Sequence, residues 1–470
     1  MSWSFGLLSI RIANALVDVV RTARALKRPR SLFRFYQAVA SSFLIPAVLV
    51  VPLLAQPAGA GVLDPSFGTN GVVTTDLGGS DEARALAVQR DGKIVAAGMT
   101  GVGGRIDFAL ARYNADGSLD GTFGDGGMVT TGFGAVDIAR AIALQTDDKI
   151  VVAGSSAAYP KSNFALARYD VSGHLDPSFG DSGIVVTGFG VMDSAQDLAI
   201  QPDGKIVAIG SSCAGSTCSI ALARYNTDGS LDESSFGGNG KVTTLVGQRS
   251  GADGVVLQAD GRIVVAGYAD LGGTESTVVA VARYKTDGNL DPEFGEDGVV
   301  TTDFGGFYDH AYAVIVQRDR KLVVAGSSGT LPNTDFMLAR YNDDGTLDLA
   351  FGDGGKVTTD LFGLDDFAHA LVQQPDGKLV VAGVANPTGS EYDFALARYT
   401  SAGELDTAFG LDGLAVTKVG YSDYCFAVAL QRDGCIVVAG KGEDDFALIR
   451  YLNDTLGVFR TWLPILTKQR

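Results

Sequence analysis

Apolar positions in this chain fall into short runs that return in a fixed order. The text ARALAVQ, Ala83 to Gln89, alternates small and larger residues, and KIVAAG, Lys93 to Gly98, follows across Asp91-Gly92. An Asp-Gly pair between two such runs is a strong hairpin signal, because it supplies the tight turn that returns one strand along another. DFALARY, Asp107 to Tyr113, gives a third strand, and GMVTT, Gly127 to Thr131, a fourth. The last is rich in β-branched residues, which favour a pleated surface. No stretch after Gly61 carries apolar residues at a 3.6-residue period, so helices are expected to be almost absent.

The same text recurs to the end of the chain. L-D-x-x-F-G begins at Leu63, Leu119, Leu175, Leu231, Leu290, Leu347 and Leu405, at spacings of 56, 56, 56, 59, 57 and 58 residues. Q-x-D-G-K-I-V-x-A-G begins at Gln89, Gln145, Gln201, Gln258, Gln317, Gln374 and Gln431. A-R-Y or a close variant places arginine at Arg112, Arg168, Arg224, Arg283, Arg340, Arg398 and Arg450. A period of this length points to a repeat architecture. One four-stranded sheet has two apolar faces and buries neither alone, whereas stacking against neighbours buries both.

The expected fold is all-β: a seven-bladed β-propeller of four-stranded antiparallel blades. The termini support closure. LDPSFGTNGVVTT reads as a fourth strand without the preceding three, and the last repeat lacks a fourth strand after Asp445 to Tyr451. Val72 to Thr75 is therefore expected beside Phe446 to Tyr451, an N-terminal strand completing the last blade. Residues 61–457 form the expected propeller, with repeats beginning near 63, 119, 175, 231, 290, 347 and 405. Residues 458–470 read as a tail, whose Trp462 to Ile465 are expected to pack outside that blade, with a sorting or docking signal as the alternative.

Three landmarks in fixed order, LDxxFGxxGxVxT, QxDGKIVVAG and FALARYxxDG, resemble the bacterial Delta-60 repeat family across Leu63 to Tyr451. The resemblance implies a β-propeller in an extracellular protein. It transfers no activity and designates no catalytic residue. The fourth unit departs most: LVGQRS follows Lys241 to Thr244, and Val278 replaces the usual Asp before the third strand.

Residues 1–60 read as a leader. Arg11, Arg21, Arg24, Lys27, Arg28, Arg30 and Arg34 precede the apolar run SFLIPAVLVVPLLA, and Ala58 and Ala60 form an A-x-A arrangement. That order is of the export type, with cleavage expected after Ala60. An uncleaved anchor is the alternative, and the leader is then the sole membrane contact. The expected localisation is secreted or attached to a bacterial cell surface. The chain of 470 residues has a formal charge of -17. Removing seven bases and Asp18 leaves 30 basic and 53 acidic side chains, or -23. No basic patch beyond the leader supports nucleic-acid binding.

The strand arginines alternate with apolar neighbours, so their stems are expected to be buried. Asp stands eight residues before the glutamine at Asp81, Asp137, Asp193, Asp309, Asp366 and Asp423, with Ser250 in the fourth unit. Further acids precede the third strand at Asp107, Asp335, Asp393 and Asp445. The arginines are expected to bridge these carboxylates within each blade, since a buried guanidinium needs partners. Asn114 to Asp120 and its copies carry part of a calcium-loop pattern, but arginine holds the first ligand position. A tight turn is the simpler reading, and no cofactor is expected. Three histidines and four cysteines match no zinc spacing. Cys213 and Cys218 are expected to form a disulfide, whereas Cys425 and Cys435 are expected to remain separate thiols.

Variable positions on the constant frame mark the recognition face. Five residues before each glutamine stand Arg84, Arg140, Gln196, Asp253, Tyr312, His369 and Phe426. They are expected at the channel mouth, where Tyr159, Tyr268, Tyr392 and Tyr424 complete a polar-aromatic floor. His310 and His369 have no nucleophile elbow or metal spacing beside them, and are expected to fill variable strand-start positions. Three function classes stay open. The leading one is an exported, monomeric binding module for a protein or glycan. The others are an enzyme on polysaccharide or peptide using channel-mouth carboxylates, and a purely structural surface protein.

Overall fold

The computed structural model describes residues 59–134, 136–158, 161–272 and 276–453. The tail and nearly all of the leader fall outside the described residues. Among those described, 28 strands and no helix occur. The strands come in fours. Ser80–Val88, Ile94–Val102, Arg105–Tyr113 and Met128–Thr131 pair antiparallel in sequence order. The final group is Tyr424–Leu430, Ile436–Gly442 and Asp445–Tyr451. Its fourth member is Val72–Thr75, paired antiparallel with Val72 opposite Ile449 and Thr75 opposite Phe446. The result is an all-β fold of repeated four-stranded antiparallel sheets arranged like propeller blades.

Period-two alternation sends neighbouring side chains of one strand into different cores. Ile94 and Ala96 pack with Phe446, Leu448 and Val437 on one side of their sheet. Val95 and Ala97 pack with Ile142 and Val152 on the other. Each buried Val, Leu or Ile contributes roughly 1.5–3 kcal/mol, and a sheet gains this on both faces only when both neighbours are present. The cluster around Ile94 and Phe446 joins the first complete sheet to the last.

A buried ion-pair bracket adds direction to this packing. The Nε of Arg112 donates to Asp120 Oδ2 at 2.7 Å, and its Nη1 donates to the Val171 carbonyl of the next unit at 2.6 Å. The guanidinium lies 4.4 Å from the Phe123 ring centroid. Arg168 repeats this with Asp176, the Thr227 carbonyl and Phe179. So does Arg283 with Asp291, Asp343 and Phe294. Arg450 binds Asp64 at 2.7 Å, the Ala115 carbonyl and the face of Phe67. Arg224, Arg340 and Arg398 bind Asp232, Asp348 and Asp406. The lysine of the D-G-K turn joins in five of the seven units, as with Lys93 on Asp120 at 2.8 Å, and Arg262 takes that place in the fourth. Cys435 stands there in the last. Burial alone would raise Asp120, but hydrogen bonds from Lys93 and Thr122 and the Arg112 charge outweigh it and hold the carboxyl well below its usual range.

The arginines are buried, but their partners are not the expected set. Arg112 stands opposite Val95, whereas Asp81 stands opposite Thr100, five residues along the same strand. That separation is roughly 17 Å at strand rise, too far for an ion pair. Asp81, Asp137, Asp193, Asp309, Asp366 and Asp423 instead accept backbone N–H groups from Leu77, Phe133, Phe189, Phe304, Leu361 and Val419. They hold the loop that leads from one sheet into the next. The arginine partner is the aspartate of L-D-x-x-F-G, present in all seven copies.

Glycines of the turns that follow the third strands complete these junctions. A Cβ on Gly173 would come within 2.9 Å of the Phe123 ring, and its φ is +89°. The preceding carbonyl, that of Ser172, accepts the Gly124 N–H at 2.8 Å. At the last junction Ala60 takes this role, accepting from Gly410 at 2.8 Å, and it is buried. Ala60 is thus a working part of the sheet body, although the expected cleavage falls immediately after it. Cys213 and Cys218 face each other in register and are disulfide-bonded, with Cα atoms 4.0 Å apart. Cys425 and Cys435 are free.

Arg283 is 2% exposed, so its removal leaves the buried Asp291 with only the longer Arg262 pair at 3.2 Å. Arg283→Met is expected to lower unfolding free energy by about 3–5 kcal/mol. Asp291→Asn added to it should cost much less than the sum of the single changes, as read by equilibrium denaturation.

Candidate binding site on the inner strands

The first strand of every sheet carries a one-residue bulge. Pairing with the second strand skips from Ala83 to Ala85, Ala139 to Ala141, Ala195 to Asp197 and Ala252 to Gly254. It skips likewise from Ala311 to Ala313, Ala368 to Ala370 and Cys425 to Ala427. The residues left over are Arg84, Arg140, Gln196, Asp253, Tyr312, His369 and Phe426, the seven variable positions. A bulge re-aims the side chain of its extra residue. It also explains the glycine that ends V-x-A-G. A Cβ on Gly326 would sit 1.9 Å from the His310 carbonyl oxygen, and one on Gly98 would sit 1.7 Å from that of Glu82.

The first strands lie against one another. Ser80–Val88 touches both Val136–Leu144 and Tyr424–Leu430, so the bulge residues converge. They are unlike in character around the set. Asp253 Oδ2 meets His310 Nε2 at 2.7 Å. The His310 ring stacks on Tyr312 with centroids 4.1 Å apart and an interplanar angle of 10°, and Tyr268 lies 4.7 Å away. Tyr312 meets His369 edge-on at 5.4 Å, and His369 meets Phe426 at 5.5 Å. The Nδ1 of His369 donates to the Cys425 carbonyl at 2.8 Å, which fixes the ring. Tyr424 stacks parallel to Phe426 at 6.1 Å and reaches Tyr392 at 5.8 Å. The Arg84 guanidinium ends the run, 4.9 Å from the Phe426 centroid.

The remaining members are polar. Arg140 Nη1 donates to Ser155 Oγ at 3.0 Å, and Gln196 lies near Ser194. Arg84 pairs with Glu82 at 2.5 Å. Burial, with the Asp253 charge adding, pushes the Tyr312 hydroxyl well above its usual range, so it stays protonated as a donor. Tyr159 lies outside the described residues.

His310 stands near the start of its strand, Tyr308–Val316, as expected, and also joins the run of bulge residues without being one of them. Asp309 turns away, its carboxylate taken by the Phe304 N–H and Ser328. His310 turns inward to Asp253, 57 residues earlier on the neighbouring sheet. Its position two residues before the bulge was the available signal. The D-G loops weighed for calcium spend their carboxylates locally: Asp116 accepts from Ser118 N and Oγ, and Asp120 takes the arginine.

Two groups of three carboxylates flank the inter-sheet loops, Asp76, Asp81 and Asp445, and Asp335, Asp360 and Asp366, with ligand atoms within 4.8 Å of one another. In the corresponding place before Asp423 stands Lys418, whose charge acts on both Asp393 and Asp423. Asp366 is raised to about 6, chiefly by burial, against hydrogen bonds from Leu361 and Asn386 and with Asp360 adding to the rise.

The reference carboxyl value is about 3.9, so between roughly pH 4 and 6 the folded state holds a proton at Asp366 that the unfolded chain has lost. Stability should therefore rise as pH falls from 7 to 5. The ion-paired Asp120, Asp176 and Asp232 act oppositely and weaken the fold only in stronger acid. Asp366→Asn should flatten the limb between pH 7 and 5 by about 1 kcal/mol in urea titrations. An unchanged limb contradicts this origin. At the bulge, Gly326→Ala should cost about 1–3 kcal/mol by the same measurement, because the His310 carbonyl has to move.

Six stretches, 89–123, 145–179, 201–234, 258–294, 317–351 and 374–409, match the family described as domain of unknown function (DUF5122) beta-propeller. The repeats are thus similar to an uncharacterised β-propeller repeat family. No curated protein matches in sequence. Among solved structures, Sqt1 from Chaetomium thermophilum is 13% identical with a TM-score of 0.45, covering 80% of this chain and 97% of its own. The polysaccharide lyase Uly1 is 10% identical with a TM-score of 0.44, covering 79% and 90%. A PL25 ulvan lyase bound to -[GlcA(1-4)Rha3S]- is 13% identical with a TM-score of 0.46, covering 81% and 96%. Likenesses at these levels assign no role to this chain.

Proposed function

We propose that this chain is an exported, closed seven-bladed propeller of the Delta-60 type that binds a carbohydrate chain on its inner-strand arc. The pairing of Val72–Thr75 with Asp445–Tyr451, and the apolar cluster shared by the first and last sheets, support closure and the blade count. The basic, apolar, A-x-A order of residues 1–60 supports export. The observation that carries the binding reading is the run Tyr268, His310, Tyr312, His369, Phe426 and Tyr424, in ring contact across four sheets. Sugars present apolar C–H faces edged with hydroxyls. Rings with a polar edge, bordered by Asp253 and Arg84, match both parts.

A second reading, an enzyme on polysaccharide, is favoured by the Asp253–His310 pair beside Tyr312. A carboxylate that orients an imidazole next to a protonated phenol is a general acid–base arrangement.

Calorimetric titration with neutral and acidic oligosaccharides tests the binding reading. At least one is expected to bind, and Tyr312→Ala with Phe426→Ala should weaken it by about tenfold or more. No binding by any oligosaccharide, or undiminished binding by the double variant, overturns the reading. Release of sugar ends from a bound polysaccharide, lost in His310→Ala, would establish the second reading; intact polysaccharide after long incubation removes it.

A further inference from the structure

We infer that the carbohydrate seated on this arc is acidic, a uronate-type oligosaccharide whose carboxylate is received by Arg84 and Arg140. The inference rests on the binding reading above and concerns which sugar the arc selects.

Three observations carry it. The first is placement. Arg84 and Arg140 are bulge residues of adjacent sheets, so the same backbone device that aims Tyr312 and Phe426 inward aims Arg84, which lies over Phe426, and Arg140 on the sheet after it. The second is local charge. Glu82 lies between two cations, 2.5 Å from Arg84 and 4.0 Å from Lys441. Lys441 also pairs with Asp444 at 3.1 Å, so with Arg140 this end of the arc carries three positive side chains against the carboxylates of Glu82 and Asp444, on a protein whose net charge is -17. At the far end the Asp253 carboxylate is bound by His310.

The third is an incomplete donor set. The Nε of Arg84 is buried and has no acceptor among the described residues, while Glu82 takes Nη2 alone. An unmet buried donor carries a desolvation cost. A guanidinium presents a planar fork that matches a carboxylate by two parallel hydrogen bonds. Arg84 also lies over Phe426, so a sugar ring stacked along the aromatic run brings a ring-attached carboxylate to the guanidinium edge. Neutral sugars gain the stacking and leave the cationic end unmatched.

The experiment compares galacturonate hexasaccharide with its fully methyl-esterified form by calorimetry on the full folded chain. The acid is expected to bind about tenfold more tightly at low salt, and the advantage should shrink as salt is raised. Arg84→Met should bring the affinities for acid and ester together, and Arg84→Lys should keep only part of the preference, since it retains charge without the fork. Thermal melts of each variant establish that the fold is retained. Equal binding of acid and ester, or an unchanged preference in Arg84→Met and Arg140→Met, overturns this inference and leaves the aromatic arc standing. Binding of neither oligomer, with other sugars also inert, removes both.

Discussion

The bracket made by each third-strand arginine is the interaction on which the architecture depends. One guanidinium takes a carboxylate of its own unit, a carbonyl of the next unit and the face of a phenylalanine. Apolar clusters hold the sheets together, but such packing is non-directional. The bracket fixes how far each sheet turns relative to its neighbour, because its donors point in a fixed fork. Tyrosines add a second link, as Tyr113 reaches back to Thr75 and Tyr169 to Thr131. The repeated L-D-x-x-F-G and A-R-Y texts are therefore two halves of one joint.

A frame set this way leaves the inner strands free to vary. The bulge supplies one side chain per sheet whose identity the ladder does not constrain, and the glycine opposite it keeps the space open. Arginine, glutamine, aspartate, tyrosine, histidine and phenylalanine all occupy the same backbone position. Their grouping, rings together and cations together, is what gives the arc a chemical direction.

Much of the fold was legible in the sequence. Alternation in ARALAVQ, the Asp-Gly turns and the β-branched G-x-V-T-T strands gave the four-strand unit, and the missing strand at each end gave the Val72–Thr75 pairing. The arginine partner was misread because two aspartates recur at near-constant spacing from each arginine. Only strand register separates the one beside the turn from the one at the far end. The bulge was hidden for a related reason: the extra residue keeps the in–out alternation intact in one dimension. The Asp253–His310 pair joins residues 57 apart on neighbouring sheets, a contact that rests on no local pattern. The seventh copy of the repeat is divided between Gln431–Tyr451 and Leu63–Gly68, which explains why the family profile follows six continuous copies.

The central claim is that the first and last sheets meet as any other neighbours do, through a strand contributed from the far end of the chain. Native-state amide exchange at Val72–Thr75 tests it most directly. The account predicts protection equal to that of Met128–Thr131, the corresponding strand inside the chain, with both opening only in global unfolding. Exchange of Val72–Thr75 at the rate of an unstructured peptide, with Met128–Thr131 still protected, would contradict it.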